Sequence, residues 1–185
     1  MRPFIIVFFT ICSQLFSSCT VTADQNNAQL DKLFMRLKET SKSDVATKLE
    51  DKIWQAWLHS GRKDIDALMA KGTFLMNHHQ LDDALEQFNQ VVDKDPGYAE
   101  GWNKRATAYY LLGDLAQSMK DIKKTLNLEP RHFGALSGMG LIFSQLGDRE
   151  AALQAYREVL RINPNAFDAK QQIKVLQSKI LEDSI

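Results

Sequence analysis

Apolar residues recur three and four positions apart along most of the chain. In Leu81, Ala84, Leu85, Phe88 and Val92 this spacing draws one apolar stripe down a helix. Upstream, Leu30, Leu33, Phe34 and Leu37 predict a short amphipathic helix. Val45, Leu49, Ile53 and Trp57 predict a second, entered through Ser43-Asp44 and ended by Gly61. Over residues 167–182, Phe167, Ile173, Leu176 and Ile180 share a face amid Lys and Gln, the layout of a terminal helix with one side in water. The pattern predicts an all-α chain.

The helices come in a repeat. Pro96, Pro130 and Pro164 are spaced 34 residues apart, and the columns between them agree. Counting back from each proline gives Leu68, Trp102 and Leu136, then Gly72, Ala106 and Gly140, then Leu75, Tyr109 and Phe143. Further on come Ala84, Ser118 and Ala152, and then Phe88, Ile122 and Tyr156. Small residues let paired backbones approach while large ones fill the gaps. Gly113-Asp114 and Gly147-Asp148 mark the turn inside two units, where the first has His79-Gln80. Each helix pair alone would expose an apolar face, and stacking at least three of them buries it.

These columns resemble the tetratricopeptide repeat (TPR) family, with units at 65–98, 99–132 and 133–166. The stretch AEGWNKRATAYYLLGDLAQSMKDIKKTLNLEP carries the family's Trp, small residue, Tyr, Gly-Asp and Pro as Trp102, Ala106, Tyr109, Gly113-Asp114 and Pro130. Departures are His79 for the turn glycine, Ser118 for Ala and Ile122 for an aromatic; His tolerates positive φ better than most residues. The resemblance implies a right-handed superhelical array of antiparallel helix pairs over 63–166. A degenerate helix pair over 24–62 precedes it, and a capping helix over 167–185 closes it. LDKLFMRLKET, IWQAWLHSG and PRHFGALSGMG resemble in particular exported TPR proteins of alphaproteobacteria.

In that family the first helix of each unit lines a concave groove. Carried over position by position, the wall is Asp66, Met69, Thr73, Met76 and Asn77, then Glu100, Asn103, Thr107, Tyr110 and Leu111, then Gly134, Ser137, Leu141, Ser144 and Gln145. Family members that bind chaperone tails hold a carboxylate with Lys, Arg and Asn at positions occupied here by Met69, Thr73, Lys104, Gly134 and Gly138, so only Lys104 of that clamp remains. Gly134 and Gly138 also weaken their helix, each by ~1 kcal/mol relative to Ala. Two readings follow: bare backbone admits a partner, or the chain's own leading pair or cap helix needs the space.

Residues 1–23, MRPFIIVFFTICSQLFSSCTVTA, have secretory-signal layout: Arg2, an apolar stretch from Phe4 to about Phe16, then small and polar residues. Thr10, Ser13 and Gln14 interrupt the stretch, which falls short of the ~20 apolar residues of a membrane span. Val21-Thr22-Ala23 predicts cleavage after Ala23. Phe16-Ser17-Ser18-Cys19 resembles the bacterial lipoprotein box and offers lipidation at Cys19 as the competing outcome. The expected location is the periplasm, with membrane attachment only if Cys19 is lipidated.

Composition narrows the chemistry. Lys and Arg number 23, as do Asp and Glu, so the chain lacks the cation excess that nucleic-acid binding needs. Both cysteines, Cys12 and Cys19, fall before the predicted cut, which leaves a mature chain without thiols. Neither nucleophile-elbow, zinc-protease, P-loop nor dinucleotide patterns occur, and no cofactor is expected. His78, His79, Asp82 and Asp83 crowd one turn and could be read as metal ligands. The plainer reading is a polar loop tip, with Asp82 or Asp83 capping the next helix. His59 and His132 sit near helix ends, as cations at a C-terminus or simply exposed. Met69 and Met76 read as adaptable contact surface rather than a soft-metal pair. The expected function is a non-enzymatic envelope adaptor that binds a peptide or helix of another protein. A metal-dependent accessory role for the His78–Asp83 turn and a self-associating module are the alternatives.

Overall fold

The computed structural model describes residues 28–182, and all regular structure among them is helical. Nine helices follow in order: α1 Ala28–Glu39, α2 Ser43–Leu58, α3 Lys63–Asn77, α4 Leu81–Lys94, α5 Ala99–Leu111, α6 Leu115–Leu128, α7 Phe133–Gln145, α8 Arg149–Ile162 and α9 Phe167–Glu182. Helices α3/α4, α5/α6 and α7/α8 pair antiparallel and stack in sequence into a right-handed superhelical array, with α9 packed on α8. The signal segment and Cys19 lie outside the described residues.

The repeat columns explain the pairing. A Cβ added to Gly72 would stand 2.6 Å from the Phe88 ring, and one on Gly140 would stand 2.7 Å from Tyr156, so the aromatic of each second helix fills the notch left by the glycine of the first. In the middle pair the Ser118 hydroxyl donates to the Ala106 carbonyl at 2.8 Å, which joins α5 to α6 at the same columns. Arg105 ties the same pair through a bidentate bond to the fully buried Asp121, at 2.7 and 2.9 Å, and reaches α4 of the preceding unit through a third bond to Asn89.

The three turns inside the units share one backbone geometry. Gln80, Asp114 and Asp148 each donate an N–H to the carbonyl five residues back, on Leu75, Tyr109 and Phe143. Gly113 and Gly147 supply positive φ at 84° and 80°, and His79 supplies it at 59°, as its place in the column predicts. Asp114 and Asp148 cap α6 and α8 by accepting from Gln117 and Ala151. Capping of α4 is a correction: Gln80 is its N-cap without a side-chain bond, while Asp82 and Asp83 lie inside the first turn. There they favour the positive end of the helix dipole. Likewise α2 is entered from Lys42 rather than capped by Ser43-Asp44.

Sequence alone left open how the leading pair docks. The hairpin α1–α2 lies across the loops that join successive units. Trp57 accepts a 2.8 Å bond from the Tyr98 hydroxyl through its carbonyl, Asp31 pairs with Arg131, Glu50 accepts from Asn163, and the Thr40 carbonyl accepts from Asn165. Leu30, Leu33, Phe34, Leu37, Ile53 and Trp57 thereby join Phe133, Leu136, Tyr156 and Leu176 in one continuous core. The stripes read as two amphipathic helices are thus buried against the middle and the far end of the array.

Candidate partner-binding groove

The concave wall consists of α3, α5 and α7, and its lower end is closed by the hairpin. A Cβ on Gly134 would stand 2.5 Å from the Trp54 indole, so this glycine exists for the chain's own packing. Gly138, one turn further along α7, has its nearest neighbour at 3.4 Å, the Ile122 side chain. Gly134 therefore seats the hairpin while bordering the cavity, and Gly138 opens on the cavity alone.

That cavity, of about 180 Å³, lies between α5 and α7 and reaches down to α6. Of the residues carried over as wall, Asn103, Thr107, Tyr110, Gly134, Ser137 and Leu141 line it, together with Gly138. Ala106, Ser118, Ile122 and Ala135 also line it, and the template did not place them in the wall. Its origin is visible in the columns. Where the outer units set an aromatic against glycine, Phe88 on Gly72 and Tyr156 on Gly140, the middle unit sets Ile122 against Ala106. The shorter side chain leaves space that Gly138 does not fill.

Other predicted wall residues lie away from the cavity. Met69 is a correction: only 3% exposed, it packs with Ile65, Phe88, Val91 and Tyr98 and belongs to the core. Thr73 and Met76 are half-buried on α3, with Met76 packed against the same cluster, while Asn77 and Gln145 are exposed at helix ends. Ser144 is half-buried on α7, and its hydroxyl oxygen is enclosed. Lys104 faces Glu100 at 3.5 Å. Leu141 is 41% exposed at the cavity mouth.

Beneath the cavity runs a buried polar chain. The Ala135 N–H donates to His132 Nδ1 at 3.1 Å, so the ring's proton belongs on Nε2, which donates to Glu100 Oε2 at 2.9 Å. Asn103 donates its amide N–H to the same carboxylate oxygen at 3.0 Å. Because a carboxylate accepts only from the NH₂ side, the amide orientation is set and its oxygen faces away from Glu100, on a residue that lines the cavity. His132 is thus a correction as well: it is fully buried and caps the N-terminus of α7. His59 is exposed, 3.2 Å from the Asp66 carboxylate. Burial pushes the Tyr98 phenol far above its ordinary range, which keeps its hydroxyl a donor to Trp57.

At the histidine turn, His78 Nδ1 bonds the Phe74 carbonyl at 2.8 Å and the ring lies against Phe74. Among the described residues no three His, Cys, Asp or Glu side chains converge as a metal would require.

Known proteins with the same repeat share this architecture. Models described as tetratricopeptide repeat match residues 69–126 and 134–166. A TPR repeat-containing protein of Rhizobium etli is 36% identical over 166 residues, covering 86% of this chain and 81% of that protein. Hsp70-Hsp90 organizing protein 1 of Glycine max is 26% identical over 100 residues, and the match spans 18% of that protein. Of solved structures, the first TPR of Spaghetti (RPAP3) bound to the HSP90 peptide SRMEEVD aligns at TM-score 0.61 and 25% identity, over 63% of this chain and 93% of that one. The MamA protein aligns at TM-score 0.60 and 20% identity, over 84% and 86% of the two chains, a likeness of fold.

Proposed function

Because the chain belongs to the tetratricopeptide repeat family, we propose that it is a protein-interaction module holding a segment of a partner protein in the concave groove between α5 and α7. The observation that carries this reading is the cavity at Gly138 and Ile122, the point where the repeat departs from its own packing rule on the concave side. Spaghetti's first TPR was solved with a peptide of HSP90, which supports a peptide as the class of ligand. Trp54 of the hairpin stands against Gly134 at the start of α7, so a partner segment seated in the cavity runs beside the hairpin at that end.

The secretory layout of residues 1–23 supports an envelope partner, met in the periplasm after cleavage at Ala23. Intact mass of the chain purified from its native envelope tests this: a first residue Asp24 supports it, and a lipid on Cys19 replaces it with tethering.

Photo-crosslinking in the native envelope from Tyr110 tests the groove itself, with Lys174, exposed on α9, as the control. A single adduct peculiar to Tyr110 is the expected result. Identical adducts from both positions overturn the groove reading.

A further inference from the structure

The interior of the cavity specifies what kind of segment the groove takes. Resting on the groove reading above, we infer that the occupant is an uncharged extended segment that inserts one leucine-, methionine- or phenylalanine-sized side chain beside Gly138, with a backbone N–H donated to Asn103 Oδ1. A chain terminus held by its carboxylate is not the ligand.

Three observations carry this. The cavity, at about 180 Å³, lies below the roughly 300 Å³ at which small-molecule pockets begin, and suits a single side chain. Its floor is apolar, from Ala106, Ile122 and Ala135. Ser118 also lines it, with its hydroxyl proton given to the Ala106 carbonyl, so a carboxylate inserted there would lose its water without meeting a donor. The only wall cation from the clamp positions, Lys104, faces the buried Glu100 carboxylate at 3.5 Å. A second carboxylate would have to compete with that one.

The polar part of the site is an acceptor. Glu100, anchored by His132, holds the amide of Asn103 by its NH₂ group, so the oxygen is presented without freedom to flip. An oxygen fixed this way suits the N–H of an extended peptide and repels a carboxylate. Thr107 and Ser137 spend their hydroxyl protons on the carbonyls of Asn103 and Phe133, so they too offer oxygen lone pairs. An acceptor-rich rim over an apolar floor selects a neutral peptide with an apolar anchor.

The test selects random dodecapeptides on the full mature chain and measures resynthesised winners by fluorescence anisotropy. Their binding is compared with Ala106→Gly/Ile122→Phe, which installs the glycine–aromatic pair of the outer units, and with Gly138→Leu, which fills the cavity from α7. Retained circular dichroism qualifies each variant, and the two fill the space from different helices. The expected result is peptides sharing one Leu, Met, Ile or Phe, in which replacing that residue by Ala, or filling the cavity, weakens binding about tenfold or more, the worth of one buried side chain. Amidating the peptide C-terminus leaves affinity unchanged. Acidic winners that need a free carboxylate yet lose binding in the filled variants overturn the inference and leave the groove standing. Winners indifferent to both filled variants, or no winners at all, overturn the groove reading with it. A wild-type dimer in sedimentation that the filled variants dissociate makes the occupant a second copy, which also overturns the inference.

Discussion

The His132 imidazole lies face to face on the Trp57 indole, with 4.0 Å between ring centroids and 7° between planes. One ring belongs to the cap of α7 and the other to the end of α2, so the stack joins the N-terminal hairpin to the repeat array. Trp54 meets the same histidine edge-on, and Phe133 packs against both indoles. Four aromatic groups from two distant segments form this joint.

Replacing His132 removes three things together: the stack, the cap on Ala135 and the donor to buried Glu100. His132→Ala is expected to destabilise the chain by about 3 kcal/mol, from the lost cap, the lost stack and one donor withdrawn from a buried carboxylate that keeps Asn103 and Lys104. His132→Asn restores a cap acceptor and should recover about 1 kcal/mol of that loss. Urea unfolding followed by circular dichroism measures both, and equal midpoints for the two variants contradict the assignment of the cap.

Gly134 and Gly138 of α7 should respond with opposite signs. Gly134→Ala drives a methyl into Trp54 and is expected to cost about 1–3 kcal/mol through overpacking. Gly138→Ala meets only Ile122 at 3.4 Å and should gain up to ~1 kcal/mol from helix propensity. Thermal unfolding of the pair decides, and a shift in the same direction for both contradicts the division of roles.

Arg105 neutralises Asp121, a carboxylate with no exposure. Arg105→Leu leaves that charge buried and alone, and a loss of about 3 kcal/mol is expected. The companion Arg105→Leu/Asp121→Leu should be less destabilised than Arg105→Leu alone, because the orphaned charge leaves with its partner. A double variant weaker than the single one in urea contradicts this.

Burial raises the Glu50 carboxyl above its usual value of 4.5, against the lowering effect of the bond from Asn163; Asp51 and Asp168 add to the rise. A group whose folded value is raised binds its proton more tightly in the folded chain. Its contribution is therefore complete below about pH 4.5 and lost as pH climbs through the folded value. Glu50→Gln keeps an acceptor for Asn163 without the charge. Its urea midpoint should exceed that of wild type at pH 7 and fall level with it at pH 4, whereas a difference independent of pH contradicts the assignment.

The periodicity of this chain determined its helices, their pairing and their order. Each repeat touches mainly its neighbours, so columns 34 residues apart suffice to specify Phe88 on Gly72, Tyr156 on Gly140 and the positive φ of His79. Six of the residues that line the cavity were legible in the same way, because they follow from helix phase. The substitution that makes the cavity, Ile122 in an aromatic column, was also present in the sequence; its meaning came only when Gly138 was seen opposite it. The docking of α1–α2 was decided by tertiary structure. An apolar stripe states that a face is buried and says nothing of against what, since the hydrophobic effect is non-directional. Hence His132, read as a residue near a helix end, became the buried centre of an aromatic joint, and Met69, read as wall, became core. Both depend on surfaces that meet only once distant segments have folded together, where shape and hydrogen-bond satisfaction, rather than spacing, select the contact.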